Sequence, residues 1–423
     1  MKKFFTQLAF LALFVALGYL GWRNYELLHE NVALRETRVL LEREKRDLQT
    51  KLAAVPTGSS EEAEPRAVIE EQTAKLRGLS FKKPVTYKVI GREELRKVLE
   101  GKLGEQYSAQ ELRDYGRTLE TLGLIPAGTD LREAILGLYD EQVAAFYVPE
   151  ERALYTFKDE SFTRNLDKVT LAHELTHALQ DQNFDLTTFP LKIKDNDDLA
   201  LATSALVEGD ATLLMAQYYG EHLDVRNMLS DVMGGMLGQK TAKFQAAPPF
   251  LQQLLLFPYQ EGTEFMMGVF AAGGMDALND AFRHPPVSSQ QILHPEQFLR
   301  DRHDPEKIAL KKLDAGQWRL IGDNVLGEFG VRCLLSPSLG ALEAQRLAAG
   351  WNGDRYHVYE RGTNGPTALM WTTAWTTEKE AVDFADAYRQ LTENRGVLAK
   401  LERDGNHVRI RQAKDAAALD DLK

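Results

Sequence analysis

The chain has a single cysteine, Cys333, so no disulfide can form within it. That excludes a small disulfide scaffold and a Cys-rich zinc finger. Cys333 sits in the apolar run Val331-Arg332-Cys333-Leu334-Leu335 and reads as a buried, inert thiol. Positive charge is also scarce: 51 Lys and Arg stand against 62 Asp and Glu, a net charge of −11. General nucleic-acid binding needs a basic surface to replace counterions, so no nucleic-acid partner is expected. There is no internal repeat. Hydrophobic residues make up 44% and charged residues 27%, enough for a sizeable soluble core, and 423 residues allow two or three domains.

The one long apolar run lies at the N-terminus. Lys2 and Lys3 precede residues 4–22, broken only by Thr6 and Gln7. A charged start followed by such a run is an export signal. Its length approaches the roughly 20 residues that span a bilayer. It is read as an uncleaved anchor, single-pass, with the lysines in the cytoplasm and the rest periplasmic or extracytoplasmic. Secretion after cleavage near Ala16-Leu17-Gly18 is the alternative. No cysteine ends the run, which excludes a lipoprotein start.

Residues 23–54 lack Gly and Pro and are densely charged. Leu27, Leu34, Leu41 and Leu48 recur every seven residues, whereas the partner positions are Asn24, Asn31, Arg38 and Lys45. Two readings fit. One is a short coiled coil that makes a homodimer through residues 24–54. The other is a solvated helical stalk laced with charge pairs. Residues 55–66 read as a linker of Pro, Gly, Ser and acidic residues.

Beyond the linker the pattern predicts an α+β protein. A mainly helical domain with a small N-terminal sheet or hairpin is expected over 67–315, and a small α+β domain over 316–423. Helices are expected over 67–79, much of 92–138, a long stretch from Asn165, and 199–219. A short strand is expected over 85–89, and runs 142–148 and 153–157 flank a Pro-started polar turn and predict a hairpin. In the last domain 319–335, 355–360, 368–375 and 407–412 read as strands, and 339–349 and 377–392 as helices.

The chemistry concentrates in His173-Glu174-Leu175-Thr176-His177. Residues four apart share a helix face, so both imidazoles can reach one metal ion, with the adjacent Glu174 near enough to take a proton from metal-activated water. The plainer alternative is a helix with two satisfied histidines. Three further features weigh against it. First, a catalytic zinc wants three protein ligands and an open position. Asp181 shares the stripe, but it is eight residues from His173, roughly 12 Å along a helix. It reads instead as a hydrogen-bond partner orienting a ligand. Glu208, 31 residues after His177, lies on an apolar face where an unpaired carboxylate is costly. It reads as the third ligand rather than as a half-exposed glutamate with a basic partner. Gly209 would let its helix approach the histidine helix, and Asp210 is an orienting or structural carboxylate.

Second, the hairpin before the motif offers an edge for an extended peptide, at 144–148 or 154–157, unless it is an ordinary core hairpin. Third, Tyr259 and His294 are candidate donors to an oxyanion, although a lone Tyr or His is more often a hydrogen-bonded structural residue.

The histidine pair with a distant glutamate resembles the gluzincin group of zinc metallopeptidases, over roughly 142–212. The resemblance implies one Zn2+ held by His173, His177 and Glu208, with Glu174 as general base. Where that group has an aspartate four residues after the third ligand, this chain has Thr212, so the aspartate's role passes to Asp181 or Asp210, or is absent. Pro258-Tyr259, residues 286–295 and residues 350–356 also resemble a group of exported bacterial and archaeal proteins of uncharacterised function that carry the same metal motif. The expectation is a membrane-anchored or exported zinc metalloendopeptidase acting on peptide or protein substrates. The rival is a non-catalytic cell-envelope binding or scaffold protein with a structural or vestigial metal site.

Overall fold

Helix caps and turn residues set the local elements of the chain, whose computed structural model describes residues 64–139, 145–157, 165–222, 242–313 and 316–422. The membrane segment 4–22 and the stalk 24–54 lie outside the described residues. The chain opens with α1 (Glu64–Arg77), β1 (Thr86–Ile90), α2 (Arg92–Gln106), α3 (Ala109–Leu122) and α4 (Leu131–Tyr139). The linker read over 55–66 therefore ends inside a helix. The hairpin β2 (Ala145–Val148) and β3 (Ala153–Phe157) leads to α5 (Asn165–Phe184) and α6 (Asp197–His222). Then come α7 (Ala242–Ala246), α8 (Pro249–Arg283), α9 (Ser289–Leu293) and α10 (Pro295–Arg300). The remainder is β4 (Trp318–Asn324), α11 (Gly327–Leu339), α12 (Ala341–Ala348), β5 (Trp351–Arg361), β6 (Thr367–Trp375), α13 (Glu378–Asn394), β7 (Leu398–Asp404), β8 (His407–Ala413) and α14 (Ala416–Asp420).

The fold is α+β, as the sequence pattern predicts. Capping shows why the elements start where they do. Ser108 and Glu111 close a capping box on α3, which stops at Gly123 in the left-handed region at φ 80°. Thr377 and Glu380 do the same for α13.

The first sheet has the order β1-β3-β2, with β1 parallel and β2 antiparallel to β3. The edge expected at 154–157 is therefore interior. Strand β1 arrives from a separate segment to cover it, which a hairpin pattern alone cannot reveal. Among the described residues β1 and β2 are the two edges, and β2 packs along α5.

The second sheet runs β4-β5-β6-β8-β7, antiparallel throughout. The strand expected over 319–335 stops at Asn324, and Gly327, at φ 75°, opens α11. Its Val331, Leu334 and Leu335 are all buried. A continuously buried apolar run has no period to separate strand from helix. Strand β7 is absent from the sequence reading because its charged edge residues mask its alternation.

The boundary expected at 315 separates two sheets but not two cores. One apolar cluster runs from Leu206 and Phe265 through Leu335 and Trp351 to Phe384. The ring of Phe329 of α11 packs tilted against that of Phe257 of α8, with centroids 4.6 Å apart. Among the described residues one helix, α6, is long and apolar enough to cross a membrane; more than half of that stretch is buried here.

Two glycines let α6 and α8 touch backbone to backbone. A Cβ at Gly209 would lie 2.2 Å from the Gly262 carbonyl oxygen, and one at Gly262 would lie 2.2 Å from that of Ala205. Gly209 thus serves the approach of α8 and not, as expected, that of the histidine helix: it is about 100° around α6 from Glu208. The contact seats Tyr259, one turn before Gly262, beside the histidines.

Candidate metal centre

Helix α5 places His173 and His177 one turn apart on its buried face, with their Nε2 atoms 3.1 Å from each other. Helix α6 brings Glu208 onto both. Its Oε2 lies 3.1 Å from His173 Nε2 and 3.4 Å from His177 Nε2. These residues are the group among the described residues whose donor atoms converge closely enough to hold an ion. Donors about 2.0–2.1 Å from zinc at tetrahedral angles lie about 3.3 Å from one another. The three separations here bracket that edge length. Two imidazoles and one carboxylate are also a zinc-type donor set, whereas calcium and magnesium take oxygens. The Glu208 side chain is 23% exposed against 8% and 10% for the histidines, so the open side of the site faces solvent beside Glu208.

The electrostatics suit a cation. Burial works to keep His177 neutral, yet Glu208, by charge and hydrogen bond, outweighs it and lifts the imidazole to about 9. Burial likewise opposes the charge on Glu208, but the two histidines hold that carboxyl well below the ordinary carboxylate range. Both shifts describe one interaction, in which a proton stands where a metal ion would. Burial pushes Glu174 upward, and the neighbouring histidines draw it partly back.

Glu174 Oε2 accepts from the backbone N–H of Tyr147 at 2.8 Å, so the motif glutamate is tied to the edge strand. Asp181, expected to orient a histidine, does not bond one. It accepts from Tyr147 Oη at 2.8 Å and from the Leu186 N–H at 3.0 Å. Two turns separate Glu174 from Asp181, so both grip the same strand residue. The partner of His177 Nδ1 is Gln180 Oε1, at 2.9 Å. Asp210 stands one step further back, accepting from Gln180 Nε2 at 2.9 Å and pairing with Arg77 Nε at 2.9 Å. Among the described residues His173 Nδ1 is buried without a hydrogen-bond partner, as is the hydroxyl of Thr212.

Tyr259 stacks near the site, its ring centroid 6.2 Å from that of His173. His294 is elsewhere: its Nε2 lies 3.0 Å from both carboxylate oxygens of Glu328, a buried residue of α11. The bond to Glu328 raises its pKa. The sequence reading missed Gln180, Arg77, Tyr147 and Gly262. Gln180 had a signal, since it follows His177 by three residues on a helix. Arg77 had none, because its partner is 133 residues away.

Residues 318–423 match a family described as a domain of unknown function (DUF8575). That match covers the second sheet and its helices and includes none of the three converging residues. None of the curated proteins matches the chain. A similar solved structure is that of a candidate hydrolase with a novel fold from Chloroflexus aurantiacus. It is 19% identical, spans 58% of this chain and 91% of its own, and has a TM-score of 0.37. Likeness at that level carries no activity across.

Proposed function

We propose that this chain is a zinc-dependent hydrolase that cuts peptide bonds, of the gluzincin type, exported and held to the membrane through residues 4–22. The observation that carries the reading is the convergence of His173, His177 and Glu208 at tetrahedral spacing beside a buried glutamate.

A bound zinc ion would polarise the scissile carbonyl and activate a water at neutral pH. Glu174 takes the proton of the attacking water. Its Oε2 accepts the Tyr147 N–H, which holds the carboxylate in place and leaves Oε1 and the second lone pair of Oε2 as acceptors. Burial raises its basicity towards the working pH, where general-base catalysis is most effective. The same carboxyl then passes the proton to the leaving amine. Tyr259, stacked beside His173, supplies a hydroxyl to the oxygen that becomes negative. The substrate is an extended peptide laid against β2. Tyr147 turns its N–H away from β3, so ladder alternation puts the Ala145 and Tyr147 carbonyls on the side away from β3.

The test is a zinc assay and a peptide-library digest on the full chain and on Glu174→Gln. The variant should retain one zinc per chain and lose hydrolysis by about 10²–10⁴-fold. Full activity in that variant, or no zinc in the parent, rejects the reading.

A further inference from the structure

We propose that Gln180, Asp210 and Arg77 form a one-way hydrogen-bond relay that presents His177 to a metal through Nε2; the proposal rests on the metal reading above.

Gln180 is fully buried. Its amide nitrogen donates to the Val207 carbonyl and to Asp210 Oδ2, each at 2.9 Å. Neither acceptor can donate in return. A carbonyl has no hydrogen, and Asp210, 1% exposed, is ion-paired with Arg77 Nε at 2.9 Å. Turning the amide over would set its oxygen against two buried acceptors and forfeit two buried hydrogen bonds. The Gln180 oxygen therefore points at His177 Nδ1, 2.9 Å away. It can only accept, so Nδ1 carries the hydrogen. The lone pair of the neutral ring is then on Nε2, the atom that faces His173 and Glu208.

The far end of the relay explains an otherwise expensive feature. Arg77, at the end of α1, is 1% exposed. Its Nη1 bonds Asn279 Oδ1 of α8 at 2.9 Å, and its guanidinium lies 5.8 Å from the Phe282 ring centroid. A buried ion pair is a poor source of stability, because apolar side chains of similar size often do as well or better. This pair supplies something apolar packing cannot: a carboxylate that only accepts, aimed at a glutamine that must then donate. Asp210 also sits two residues after Glu208 on α6, so the third ligand and the relay are set by one helix turn. Among the described residues His173 Nδ1 has no such partner. The two imidazoles are held unequally, and His177 is the one whose tautomer is dictated.

The test uses the full chain, ¹⁵N-labelled at histidine, and the variant Gln180→Met, which matches the length without the amide. Zinc affinity is read by chelator competition, fold by thermal melting, and ligation by the ¹⁵N shifts of the zinc-loaded protein. The parent should bind through His177 Nε2 and show an exchange-protected Nδ1–H. Gln180→Met should fold, lose about 10–100-fold in zinc affinity and lose that protection. A parent that takes up no divalent ion overturns the metal reading and the relay with it. Zinc uptake with His177 ligated through Nδ1 overturns the relay alone, as does wild-type affinity with an unchanged Nδ1–H in Gln180→Met. If that variant does not fold, the parent's ¹⁵N spectrum decides.

Discussion

Uptake of a metal ion by His173, His177 and Glu208 has to expel a proton. In the metal-free protein Glu208 outweighs burial and raises His177 to about 9, so the ring is charged at neutral pH. The perturbation is pH. Below 9 each unit adds a factor of ten to the proton's competition, so apparent zinc affinity should fall roughly 100-fold from pH 9 to pH 7 and about 1000-fold by pH 6. Close to one proton should leave His177 per ion bound at pH 7. Calorimetric zinc titration in two buffers of different ionisation heat counts that proton, and chelator competition between pH 6 and pH 9 gives the slope. The same shift sets the stability of the metal-free fold. The pKa of His177 is raised above its unfolded value of about 6.5, so the stabilisation is complete below that pH and lost as pH rises through about 9. The depressed Glu208 is the other half of that interaction and is not counted twice. Its upper size is about 3 kcal/mol, at 1.36 kcal/mol per unit. The metal-free melting temperature should therefore drop between pH 6.5 and pH 9, while zinc affinity climbs. Equal zinc affinity at pH 6.5 and pH 8.5, with no proton released at pH 7, would refute the reasoning.

Gly209→Ala should force α6 and α8 apart, because the new Cβ would meet the Gly262 carbonyl at 2.2 Å. A loss of about 1–3 kcal/mol is expected in thermal melting, and an unchanged melt would contradict the contact. Tyr259→Phe should keep zinc and lower turnover by about 10²-fold; unaltered turnover removes Tyr259 from the chemistry. His294→Gln should cost about 1–3 kcal/mol through the bond to Glu328 and leave hydrolysis per folded molecule intact. Reduced turnover at an unchanged melting temperature would return His294 to the site.

The convergence of the two imidazoles was legible because they and the adjacent glutamate lie within five residues, where helix geometry alone fixes who faces whom. Glu208 was legible for an energetic reason: a carboxylate on an apolar face demands a partner. The hairpin, the α+β character and the main helices followed from periodicity and turn chemistry. Tertiary packing decided the rest. It gave His177 to Gln180 rather than to Asp181, turned Asp181 and Glu174 onto Tyr147, and sent His294 to Glu328. It made β3 the central strand by laying β1 against it, which leaves β2 as an edge. It also spent Gly209 on α8 instead of α5. Apart from His177 and Gln180, three residues apart on α5, these outcomes pair groups from different elements of the chain. Local sequence can state that a buried polar group needs a partner, but only the packing of one helix against another chooses which partner is within 3 Å.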